Sequence, residues 1–152
     1  MQTRRKTLKQ SAVVVGLLAA TGMFPRYAFA AFNKAAFDAK ALADVLKALG
    51  AGAPLESKDV TIGGPDIAEN GAVVPLTAGT SLPGVKQILM LVEKNPSVLI
   101  AVFNVTDSVE ANFATRAKMG QTSDVFAVAI MADGKALFAK KEVKVTLGGC
   151  GG

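Results

Sequence analysis

Apolar positions recur along this chain at two different periods. In NKAAFDAKALADVLKALGAG, which starts at Asn33, Leu42, Val45, Leu46 and Leu49 stand at i, i+3, i+4 and i+7, the single stripe of an amphipathic helix. Asn33 can cap its start, and Gly50 and Gly52 stop it. After Pro54 the pattern changes to short β-rich runs at 59–63, 71–80, 85–94, 97–106, 111–120, 123–132 and 135–147, with Asn95-Pro96 and Asp133-Gly134 as turns between them. The Asp-Gly pair between two apolar runs predicts a hairpin in which both turn positions favour φ > 0. In the last run Val143, Val145 and Leu147 alternate with Glu142, Lys144 and Thr146, so one face is buried and the other wet. Successive strands without intervening helices predict an all-β fold, an immunoglobulin-like antiparallel β-sandwich preceded by an N-terminal helix. Leu147 is then the last anchored side chain, and Gly148 begins a flexible C-terminal arm.

The first thirty residues read separately. TRRKTLK supplies a charged start, SAVVVGLLAATGMF a short apolar stretch interrupted by Gly16 and Gly22, and Ala28-Phe29-Ala30 an A-x-A cleavage site before Ala31. The stretch is short for a membrane span, so cleavage is expected over anchoring. Arg4-Arg5 followed by Lys6-Thr7-Leu8-Lys9 resembles the twin-arginine export signal, with Thr7 in place of the usual Phe. The domain expectation is therefore a signal peptide at 1–30, a sandwich domain with its helix at 31–147 and a GGCGG arm at 148–152.

Removing that leader changes the charge argument. The whole chain carries 17 basic and 12 acidic residues, but Arg4, Arg5, Lys6, Lys9 and Arg26 lie in the leader, leaving 17 − 5 = 12 basic against 12 acidic residues. The high pI thus belongs to the leader, and nothing in the mature chain points to nucleic acid.

Candidate chemistry is concentrated at one residue. The chain has a single cysteine, Cys150, and no histidine, which removes the usual general base, the usual activator of a Cys or Ser nucleophile and the commonest metal ligand. Of the weaker candidates, Gly63-Gly64-Pro65 lacks the lysine and helix of a phosphate cradle, and Asp66 and Glu69 form a loop carboxylate pair without an acid/base partner. Met90, Met119 and Met131 sit in apolar runs and read as core. No metal site, cofactor or catalytic residue is expected. Cys150 itself is flanked by Gly148, Gly149, Gly151 and Gly152, giving an arm thin enough for a narrow channel. Measured from Leu147, the thiol can reach about 10 Å at 3.3–3.6 Å per extended residue. The nearest cation in sequence, Lys144, is six residues earlier. The thiol is accessible without being self-activated, which suits a substrate-bearing group acted on by other enzymes.

The ending VKVTLGGCGG, the twin-arginine-like leader, IAENGAVVPL at 67–76, the Asn-Pro turn at 95–96 and ATRAKMG at 114–120 together resemble the SoxY family, the sulfur-carrying subunits of the periplasmic sulfur-oxidation system. The resemblance covers essentially the whole mature chain. It implies a covalent carrier of sulfur in thiosulfate oxidation, with Cys150 as attachment site on a swinging arm of Gly148, Gly149, Gly151 and Gly152. It also implies partners: a SoxAX c-type cytochrome that joins thiosulfate to the cysteine oxidatively, a SoxB hydrolase that releases sulfate, where present a sulfur dehydrogenase, and SoxZ in a tight heterodimer. The implied location is the periplasm, reached by the twin-arginine route.

Rival readings of the same tail are weaker. A thiocarboxylate carrier of the ubiquitin-like kind also ends in Gly-Gly but needs cytoplasmic ATP, against the leader. An exported sandwich linked into a structural dimer through Cys150 gains nothing from glycines on both sides. Prenylation needs the cysteine fourth from the end, whereas Cys150 is third.

Overall fold

The structure, a computed structural model, describes residues 33–146. The predicted leader and the predicted arm lie outside the described residues, as does Leu147.

The helical segment begins where the sequence places it. Asn33 caps α1 (Lys34–Asp38), its side-chain oxygen accepting from the Ala36 N–H at 3.1 Å. A second helix, α2 (Leu42–Ala48), follows, so the one helix expected from the stripe is two. The break has a tertiary cause. In a continuous helix the Phe37 carbonyl would accept from the amide four residues on, but here the Ser97 hydroxyl donates to it at 2.8 Å and Ala39 turns extended (φ −62°, ψ 146°). The chain then folds back until the Asn33 side-chain Nδ2 donates to the Ala48 carbonyl at 2.8 Å. Gly50 ends α2 as expected: at φ 71° it lets Ala51 N–H reach the Leu46 carbonyl (2.9 Å) and its own N–H reach Lys47 (3.1 Å), a Schellman closure.

Nine strands follow among the described residues: β1 (Pro54–Glu56), β2 (Val60–Gly63), β3 (Ile67–Ala68), β4 (Val74–Thr80), β5 (Val85–Val92), β6 (Leu99–Asn104), β7 (Asn112–Ala117), β8 (Ser123–Met131) and β9 (Ala136–Val145). They form a sandwich of a larger sheet, ordered β1-β9-β8-β5-β6 with β3 also on β9, and a smaller one ordered β2-β4-β7. Every predicted run contains a strand. The sheets are not wholly antiparallel, however, because β1 and β3 both pair parallel with β9. These two strands are three and two residues long, too short to carry a period in sequence.

The larger sheet is buried on both faces, which explains the unbroken apolar runs ILMLV and VFAVAIM. Ile88, Met90 and Val92 of β5 and Val125, Ala127 and Ala129 of β8 meet Val60, Val74, Leu76 and Ala78 of the smaller sheet. Leu89, Leu91, Val128 and Ile130 point the other way and pack with Ala36, Val45 and Leu46 of the helices. The helical stripe therefore forms a third layer on the outer face of the larger sheet. Met90 and Met119 are core, as the sequence suggests.

The Asp-Gly hairpin forms with different turn geometry. Gly134 alone has positive φ, at 86°, while Asp133 does not. Gly134 N–H donates to the Met131 carbonyl at 3.0 Å and Met131 N–H to the Lys135 carbonyl at 2.9 Å, a three-residue loop closing with a left-handed glycine.

Candidate functional site

The predicted attachment residue Cys150 and its flanking Gly148, Gly149, Gly151 and Gly152 lie outside the described residues. What the structure shows is the strand that leads to them. β9 runs through the larger sheet beside β8 as far as the pair Ser123–Val143, where the antiparallel ladder ends. Beyond that pair, three successive amides are still held. Lys144 N–H donates to the Asp66 carbonyl at 3.0 Å and Thr146 N–H to the Ala68 carbonyl at 3.2 Å, both on the β3 side. Val145 N–H faces the opposite way and donates to the Thr122 hydroxyl oxygen at 3.0 Å.

Each of these partners has a local reason. The chain before β8 turns away toward the 67–76 segment, where Met119 N–H donates to the Gly71 carbonyl at 2.7 Å, and the Thr122 hydroxyl accepts the amide that lies beyond the end of the ladder. Gly71 allows this approach: a Cβ there would overlap the Met119 carbonyl oxygen and lie 2.8 Å from Val145 Cγ1. The Asn70 side chain accepts from Ala72 N–H at 2.9 Å, so Glu69-Asn70-Gly71 is a turn as the sequence suggests.

Asp66 and Glu69 do not form an acid/base pair. Asp66 Oδ1 is 2.8 Å from Lys141 Nζ, which also donates to the Gly64 carbonyl at 2.6 Å. The hydrogen bond and charge of Lys141, with a smaller contribution from the charge of Lys144, hold the Asp66 carboxyl below the usual carboxylate range. Its role is to tie the start of β3 to β9. Sequence reasoning missed Thr122, Gly71 and the Asp66–Lys141 pair as parts of one structure, because their shared neighbour is a strand some 20 to 80 positions away. The IAENGAVVPL motif was the available signal.

A groove of about 800 Å³ opens at the far end of the sandwich, between Asp59, Thr80, Val105, Asp107, Glu110 and Asn112. It lies at the opposite ends of the strands from the root of the tail and takes no part in the site.

A family model described as sulfur oxidation protein SoxY matches residues 45–150, from α2 through the sandwich to the cysteine itself. Against curated proteins the chain has no match. Among solved structures it is similar to the sulfur carrier protein SoxY from Chlorobium limicola f thiosulfatophilum, at 37% identity over 62% of this chain and 84% of that one, with a TM-score of 0.57. It is also similar to a superoxide reductase (neelaredoxin) from Ignicoccus hospitalis, at 15% identity over 57% of this chain and 79% of that one, with a TM-score of 0.51, a likeness of fold alone. The neelaredoxin likeness carries no chemistry here, whereas the family match spans both the sandwich and its cysteine-bearing end, and on that ground this chain belongs to the SoxY family of sulfur oxidation proteins.

Proposed function

We propose that Cys150 is the residue on which this sulfur carrier holds its cargo, and that the cargo arrives as thiosulfate. The observation that carries the reading is that the family match runs to residue 150, so the chain's only cysteine is included in it. The geometry supports it: β9 is held through Thr146, the last of the described residues, and the glycine-flanked thiol follows four positions later in the sequence.

The chemistry divides between this chain and its partners. The Cys150 thiol loses its proton and forms a sulfur–sulfur bond with the outer sulfur of thiosulfate, and the electron pair released passes to a c-type cytochrome of the SoxAX kind. Water then attacks the sulfonate sulfur of the adduct in a SoxB-like hydrolase, releasing sulfate and protons and leaving a persulfide on Cys150. A sulfur dehydrogenase, where present, oxidises that remaining sulfur. The chain supplies the thiol and its presentation, and the catalytic groups belong to the partners. It works as a heterodimer with a SoxZ-like subunit, in the periplasm, after export by the twin-arginine route.

The test is intact mass spectrometry of the mature protein incubated with thiosulfate and the cytochrome partner. A gain matching a thiosulfonate on Cys150, reversed by a reducing thiol and absent in Cys150→Ser, is the expected result. A gain that persists in Cys150→Ser refutes the assignment, and a product of twice the chain mass in place of an adduct shows a structural disulfide.

A further inference from the structure

Three consecutive amides at the end of β9 are held from alternating sides, two by the carbonyls of Asp66, just before β3, and Ala68, in it, and the middle one by a side chain, the Thr122 hydroxyl. This arrangement extends the ordered strand beyond the last antiparallel pair, Ser123–Val143. β3 is only two residues long, and its pairing with β9 covers Lys144 and Val145 alone. A strand so short offers little hold by itself, because few hydrogen bonds offset the ordering of its residues. The Thr122 hydroxyl adds the contact on the other side of the same strand. Val145 is fixed as well through its half-buried side chain, which packs against the core beside Gly71.

We propose that Thr122 is a positioning residue for the carrier arm: with the Asp66 and Ala68 carbonyls, its hydroxyl holds β9 through Thr146 and so sets where the arm begins and in which direction it leaves. The proposal rests on Cys150 as the attachment site. Its consequence is a tether of defined length. With the clamp closed, Cys150 stands four positions after Thr146, the last held amide among the described residues; with Lys144 to Thr146 released, it stands seven positions after Val143. Because the effective concentration of a tethered group falls roughly as the −3/2 power of tether length, lengthening it from four to seven residues lowers that concentration about twofold. A partner that docks on the folded body while it receives the thiol meets this loss as a higher KM, with the chemistry at the sulfur, and hence kcat, unchanged.

Thr122→Val tests this, since it keeps the branched shape and removes the only oxygen that accepts from Val145, while Thr122→Ser keeps the oxygen and serves as the rescue. The mature chain, in complex with its partner subunit, is followed by amide hydrogen exchange and by loading with thiosulfate and the cytochrome partner. The expected result for Thr122→Val is exchange at Lys144, Val145 and Thr146 at least tenfold faster, unchanged exchange in β5 and β8, and a KM for loading raised, by up to about twofold, at constant kcat. Thr122→Ser restores both. Alkylation of Cys150 by iodoacetamide stays at the wild-type rate, because a small reagent needs no docking. Faster exchange with unchanged KM overturns the positioning role, as does a slower kcat with unchanged KM. Unchanged exchange overturns the clamp itself. If Cys150→Ser still loads, the carrier assignment fails instead, so the two failures are distinguishable.

Discussion

Lys141 Nζ lies 2.8 Å from Asp66 Oδ1, so a lysine of the last strand grips the residue that precedes β3. The same Asp66 supplies, through its backbone carbonyl, one of the acceptors that hold the end of β9. Because the folded state depresses the Asp66 carboxyl below its ordinary value of 3.8, the pair contributes stability that is present above that value and is lost as pH falls through the lower folded value. Asp66 is 89% exposed at its side chain, so the contribution is the small, solvent-screened one of a surface pair. Asp66→Asn is therefore expected to leave the melting temperature at pH 7 nearly unchanged and to weaken its fall below pH 4. A drop of more than about 5 °C at pH 7 in the variant would show that the pair does more than tie down a strand.

Gly134 carries φ 86° with nothing within 4 Å of a would-be Cβ, so any penalty for Gly134→Ala comes from backbone conformation alone. The left-handed region costs an L-residue about 1–2 kcal/mol. Gly134→Ala should lose about that much by denaturant midpoint, and Gly134→Asn less, since asparagine tolerates the region better. Equal losses for the two would point away from φ as the cause.

Leu46 is buried at 1% exposure beneath the larger sheet, on the face away from the smaller one. Truncation to alanine leaves a cavity there and should cost about 2–5 kcal/mol. Loading per folded molecule should stay at wild type, because the helix layer lies apart from the end of β9. A loss of loading per folded molecule would place a partner contact on that layer.

Gly149→Val bears on the arm. A β-branched residue beside Cys150 stiffens and widens the chain, so loading by the cytochrome partner should fall sharply while stability changes by less than about 0.5 kcal/mol. Loading at the wild-type rate would mean that no narrow channel receives the thiol.

Replacing Arg4-Arg5 by Lys-Lys tests the export route, since the twin-arginine pathway reads the guanidinium groups and the general pathway only the charge. Precursor should accumulate in the cytoplasm, whereas the wild-type mature chain should begin at Ala31. Unimpaired export of the variant assigns the general route.

The strands of the sandwich were legible because each central one is long and carries a continuous apolar run or an alternation, as β5, β8 and β9 do. The caps at Asn33 and Gly50 were legible too, being local chemistry between residues a few positions apart. The break between α1 and α2 was not, for it depends on a serine sixty residues away taking the Phe37 carbonyl.

One thiol, no histidine and glycines on both sides of the thiol are properties of composition and adjacency, readable whatever the fold. The apolar pattern likewise marks which segments bury a face, and so the sandwich. How the strand leading to that thiol ends is set by contacts between distant segments. β3 is too short to announce itself and exists because β9 offers it a ladder; Thr122 reads as an ordinary loop residue until Val145 N–H turns toward it; and Gly71 matters because Met119 and Val145 converge there. Hydrogen bonds between distant segments leave no periodic trace in sequence, because each partner's identity is set by where the other strands place it in space.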